Sequence, residues 1–73
     1  MDLNTLASKA IRTARQSAGL SRAALLKRAG NPIVMRWLIT LEQGRARWRL
    51  EDLEVLARAM GHDPLELLAA AKV

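Results

Sequence analysis

The sequence predicts an all-α fold, a compact bundle of five short helices, and three observations carry that expectation. Thirteen Ala and thirteen Leu supply most of the apolar content, whereas Val, Ile and Thr number three each, so residue preference favours helix over sheet. Gly19, Gly30, Gly44 and Gly61 punctuate the chain, each after an apolar run with helical spacing. At 73 residues the chain sustains one hydrophobic core, so it reads as a single domain over 1–73.

Leu6, Ala10 and Ala14, joined by Leu3, repeat at helical spacing and predict a first amphipathic helix over 5–18. Gly19 follows as a left-handed C-cap, because a residue without Cβ takes positive φ at no steric cost. Ser21 stands where an N-cap belongs, its hydroxyl placed to accept from the free amides of the next turn. A second helix over 22–29 turns Ala24, Leu25 and Ala29 inward, and Gly30 ends it. Asn31-Pro32 reads as the next start, with Asn capping and Pro filling the first helical position. The third helix runs from there to about Gln43 and stops at Gly44.

At about 100° per residue, Val34, Leu38 and Leu41 share one side of that helix as a core stripe, and Trp37 flanks them as a packing residue. Met35, Arg36, Ile39, Thr40 and Gln43 fall on the other side. Arg45 to Arg49 form an arginine-rich loop. Leu50, Leu53, Leu56, Ala57 and Met60 build a fourth helix, with Glu51, Asp52 and Glu54 near its positive N-terminal end. Asp63-Pro64-Leu65-Glu66 starts a fifth, with Asp as cap, Pro at the first position and Glu two residues on, as in a capping box. The tail from Ala69 is expected to fray unless a partner orders it.

Composition excludes several classes of function. Without cysteine there is neither a disulfide framework nor a thiolate metal site, which fits a reducing cytosol. No apolar stretch approaches the roughly 20 residues of a membrane helix, and no signal peptide is visible, so a cytoplasmic protein is expected. With a lone His62, no nucleophile, base and orienter assemble, so no catalysis, cofactor or metal is expected. His62 itself reads as a turn residue.

Charge is placed unevenly. Residues 1–49 carry ten basic and two acidic side chains, net +8, and residues 50–73 carry two basic and five acidic, net −3. One strongly basic end on a small helical domain suggests a polyanion, since neutralising phosphates releases condensed counterions. The plainer alternative is that scattered arginines keep an Ala/Leu-rich domain soluble.

Two helices joined by a turn, with a basic loop beyond them, form a helix-turn-helix pattern. From Ile11-Arg12-x-x-Arg15 through Gly19-Leu20-Ser21-Arg22-x-x-Leu25 to Gly30, the chain resembles the Cro/repressor-like, or XRE-type, helix-turn-helix regulators. The likeness continues through Leu38-x-x-Leu41-Glu42-x-Gly44, then Leu50-x-x-Leu53-x-x-Leu56-Ala57-x-x-Met60-Gly61 and Asp63-Pro64-x-Glu66-Leu67-Leu68. It spans roughly residues 6–68. Four departures stand out. The stretch from Gly30 to Glu42 is two residues longer than usual, assigned to Asn31-Pro32, so that Ile33, Leu38 and Leu41 become core residues. Arg22 stands where the family often has Gln, and Val34 or Met35 where a small or polar residue is common. Trp48 and Arg49 stand in the places of a frequent Pro and of a capping Ser or Thr.

The resemblance implies a lambda-repressor-like domain, a bacterial or phage transcriptional regulator binding double-stranded DNA. It places the outer face of the third helix in the major groove. Arg36 then suits guanine O6 and N7, Met35 and Ile39 suit thymine methyls, and Thr40 and Gln43 reach base edges or phosphates. Ser21, Arg22, Arg45, Arg47 and Arg49 are expected on phosphates, since arginine forks match phosphate oxygens. Arg15 and Glu42 occupy positions that form an inter-helix ion pair in the family. A homodimer is expected to use the fourth and fifth helices. Trp48 suits either the open edge of the core or a dimer contact. The apolar Met35 and Ile39 also suit a protein partner, as in a toxin-neutralising antitoxin.

Overall fold

The computed structural model describes residues 2–72 and contains five α-helices and no strand among them. These are α1 Leu3–Ser17, α2 Arg22–Arg28, α3 Met35–Glu42, α4 Leu50–Ala59 and α5 Pro64–Lys72. α1 is the axis of the fold: it packs on α3 and α4 and makes its largest interface with α5. Ile11, Leu25, Leu38, Leu41 and Leu56 are the largest fully buried side chains, and they come from α1 to α4. Ala7, Ala10 and Ala14 let the neighbouring helices approach α1 closely, and Leu67 anchors α5 against the same core.

The first four helices end in one way. The amide of the glycine that follows reaches back to the second carbonyl from the helix end, and the next amide reaches the third. After α2, for example, Gly30 donates to Lys27 and Asn31 donates to Leu26 at 2.7 Å. Gly30 sits at φ +83°, which a side chain resists. α1 opens on Asp2, whose Oδ1 accepts from the Thr5 amide at 2.7 Å, and α2 opens on Ser21, whose Oγ accepts from Ala24 at 3.0 Å.

α3 starts later than the Asn31-Pro32 signal indicates. Asn31 takes φ 54° and closes the end of α2, so it is not in the extended geometry of an N-cap. The cap is Val34, without a side-chain hydrogen bond, and the turn between α2 and α3 is therefore six residues long. As a consequence Val34 leaves the core stripe and is 71% exposed, while Leu38 and Leu41 are fully buried and Ile33 packs on the core.

Three other apolar positions depart from expectation. Leu3 and Leu50, each on the first turn of its helix, project beyond the core and are 74% and 79% exposed. Trp37 is half-exposed rather than packed. Conversely, the segment from Ala69 to Lys72 is helical, because Leu68 and Ala71 pack against the core and hold it there; Val73 lies outside the described residues.

Candidate nucleic-acid interface

The orientation of α3 is set by one buried carboxylate. Glu42, fully enclosed as a side chain, accepts from Arg15 Nε at 2.8 Å and from a second nitrogen of the same guanidinium at 3.0 Å. That two-pronged geometry matches the planar fork of arginine to both carboxylate oxygens. Arg15 also donates to the Leu20 carbonyl at 2.9 Å, so one side chain ties α1, the α1–α2 turn and α3 together. Arg22 donates to the same carboxylate at 2.9 Å and brings in α2. The expected phosphate ligand at the start of α2 is thus engaged internally, with its side chain 35% exposed.

A second brace holds the segment after α3. Asn4 Oδ1 accepts from the Trp48 amide at 2.6 Å, and its Nδ2 donates to the Ala46 carbonyl at 2.8 Å. The indole N–H of Trp48 donates to Ser8 Oγ at 2.9 Å, and the Ser8 hydroxyl donates to the Leu41 carbonyl at 2.6 Å. Trp48 therefore covers the edge of the core and fastens the loop to α1. Neither Asn4 nor Ser8 stood out in the sequence, since their partners lie more than thirty residues away.

With both braces in place, the outer side of α3 stands clear of the core. Met35, Arg36 and Gln43 are exposed, and Ile39 and Thr40 are half-buried. Thr40 Oγ1 donates to the Arg36 carbonyl at 2.9 Å within the helix. Ser21 uses its oxygen as a cap acceptor, which leaves its O–H free to donate outward. Arg45 and Arg47 are exposed on the loop, where they line a shallow cleft with Asp2, Asn4 and Gly44. Arg49 is taken up differently: it pairs with Glu51 on the first turn of α4, so that its guanidinium is already engaged.

Two cations missed by the sequence reading join this surface. Lys9 and Arg12, one turn apart on the exposed side of α1, line a cleft with Gln43 and Gly44 at the end of α3. Their three-residue spacing on the polar face of α1 was the available signal. Among the described residues no ion pair engages Lys9, Arg12, Arg45 or Arg47. They form a basic band around the C-terminal end of α3. Asp2, which lines the cleft with Arg45 and Arg47, has its carboxyl held below the ordinary value, first by the Thr5 amide and also by the positive charge of Arg47.

A helix-turn-helix domain model matches residues 8–71, which takes in all five helices except the first five residues of α1 and Lys72 at the end of α5. No curated protein and no solved structure matches the chain. The family match covers most of the sequence and coincides with the α2–turn–α3 unit that the Arg15–Glu42–Arg22 cluster holds in place, so the chain belongs to the helix-turn-helix domain family, of the XRE-like kind that its motifs resemble.

Proposed function

We propose that this protein is a sequence-specific DNA-binding transcriptional regulator, a repressor of bacterial or phage type, that lays α3 in the major groove. The observation that carries the reading is the pairing of a solvent-facing side of α3 with a basic band at its end. α3 has eight residues, about 12 Å of helix, a length suited to the groove of B-DNA. In this reading Arg36 contacts a guanine edge, with Met35, Ile39 and Thr40 beside it. Ser21, Gln43, Arg45 and Arg47 contact phosphates, and Lys9 and Arg12 join them from α1. Repression follows from occupying promoter DNA in the cytoplasm, on the nucleoid, with no catalytic step.

The proposed homodimer joins α4 and α5, where Leu50, Val55 and Leu65 are exposed apolar side chains. Two half-sites would then lie about 34–36 Å apart, one helical turn of DNA. One observation favours a second reading, a protein-interaction module such as a toxin-neutralising antitoxin: Val34, Met35 and Trp37 leave an apolar surface at the start of α3. Selection of bound duplexes from a random pool separates the two. An enriched motif whose affinity falls steeply with salt supports the regulator. A pool without enrichment and a flat salt response overturn it in favour of the interaction module.

A further inference from the structure

Seven large apolar side chains are exposed among the described residues, and three of them, Val34, Met35 and Trp37, fall within four consecutive positions at the start of α3. Two of these do not stand on a flat surface. Val34 and Met35 line an open cleft of about 470 Å³ with Ala23 and Leu26 of α2 and with Pro32 and Ile33 of the turn. Leu26 is buried and Ile33 half-buried, so they form its floor, and the exposed Ala23, Pro32, Val34 and Met35 form its walls. No residue of α1, α4 or α5 lines it.

The charge around this cleft has one sign. No acidic residue occurs between Asp2 and Glu42, and Glu42 is enclosed by Arg15 and Arg22. Lys27 follows Ala23 by one turn on the same side of α2, Arg28 is exposed beside it, and Arg36 follows Met35. Among the described residues no ion pair engages Lys27, Arg28 or Arg36. Free cations around an apolar hollow call for an occupant that brings both carboxylates and apolar side chains. We propose that the cleft docks a short acidic segment of a partner protein, its apolar side chains in the hollow and its carboxylates on Lys27, Arg28 and Arg36. A second copy of this chain fits less well, since Glu51 and Glu54 on α4 are already paired with Arg49 and Arg58. Met35 and Arg36 also belong to the face laid on DNA in the proposed function. The segment and the duplex therefore exclude each other, and the partner takes the regulator off its DNA. That consequence rests on the DNA-binding reading; the docking itself does not.

The probe is a displayed library of random peptides selected on the whole protein, with the best sequence then made synthetically and labelled. Enriched peptides should carry Asp or Glu around apolar anchors. Lys27→Glu with Arg28→Glu should weaken the labelled peptide about fivefold, and Val34→Asp about tenfold or more. Val34→Asp also supplies the side-chain cap that α3 lacks, so its unfolding midpoint should not fall and lost binding is not lost folding. The duplex enriched from a random pool should displace the peptide. If peptide and duplex bind together, the exclusion is overturned and the docking stands. If the peptide binds and no duplex does, the DNA-binding reading has failed and the docking again stands. A library without enrichment, or peptides indifferent to Val34→Asp, overturns the docking. Weaker duplex binding by Lys27→Glu would then assign these cations to phosphates, and self-association abolished by Val34→Asp would assign the cleft to a second copy.

Discussion

Enclosing the Glu42 carboxylate removes it from water, and only a full set of donors offsets that loss; Arg15 gives two and Arg22 a third. The two arginines are not equivalent. Arg15 is buried, so Glu42→Ala would leave a guanidinium enclosed without a counter-charge, and urea denaturation should show a loss of about 3–5 kcal/mol. Arg22 is about a third exposed and its pairing is screened, so Arg22→Ala should cost about 1 kcal/mol or less. Equal effects of the two changes would show that Glu42 is not the pivot. Asp2 makes a separate prediction. Its carboxyl is held below the ordinary value by the Thr5 amide, so the cap is complete above the unfolded-state value and is lost as pH falls through the lower folded one. In an NMR titration the Thr5 amide should keep its capped shift through neutral pH and change only in the acid range.

Caps and turns were legible where their chemistry is local. Gly19, Gly30, Gly44 and Gly61 each close a helix, because a single residue without Cβ satisfies the geometry. Asn31-Pro32 shows the limit of such signals. The same Asn that suits an N-cap also tolerates φ 54°, and the end of α2 claims it first, through the Leu26 carbonyl. The start of α3 then falls to Val34, and a residue that periodicity assigned to the core is placed in solvent. Leu3 and Leu50 fit their helical stripes equally well, yet on the first turns of α1 and α4 they only line an open cleft with Trp48 and Leu68 and stay largely exposed. The Asn4–Ser8–Trp48 brace was illegible for a different reason: its donors and acceptors are joined across 40 and 44 positions and share no period. Ser8→Ala should expose its importance, since it leaves the Trp48 indole N–H without a partner and the Leu41 carbonyl with the Gly44 amide alone. Thermal or urea unfolding should register about 1–3 kcal/mol. Trp48 fluorescence should shift to the red as the loop loosens; an unchanged spectrum and stability would show that the loop is held by packing alone.

Across the fold, the division of charge into +8 and −3 acquires a place. Part of the positive share is consumed internally by Glu42 and Glu51, and Lys27 and Arg28 are exposed at the end of α2. What remains beside α3 is Lys9, Arg12, Arg45 and Arg47, four cations that no described ion pair engages. The negative share lies on α4 and α5, where Asp63 accepts from the first amides of α5 and Glu54 meets Arg58. In the proposed complex the four cations beside α3 each neutralise a phosphate, which sets a number for the salt dependence. At about −0.9 per contact on duplex DNA, the logarithm of affinity should fall against the logarithm of salt with a slope near −3.6. Arg47→Ala should reduce that slope by about 1 and weaken all sequences alike, because a phosphate carries no base identity. Arg36→Ala should leave the slope nearly intact and relax preference at one base pair by about 1–3 kcal/mol. Binding curves over a range of salt, on the selected and on a scrambled duplex, separate the two roles: if Arg47→Ala changed preference and Arg36→Ala only the slope, α3 would not be the element in the groove.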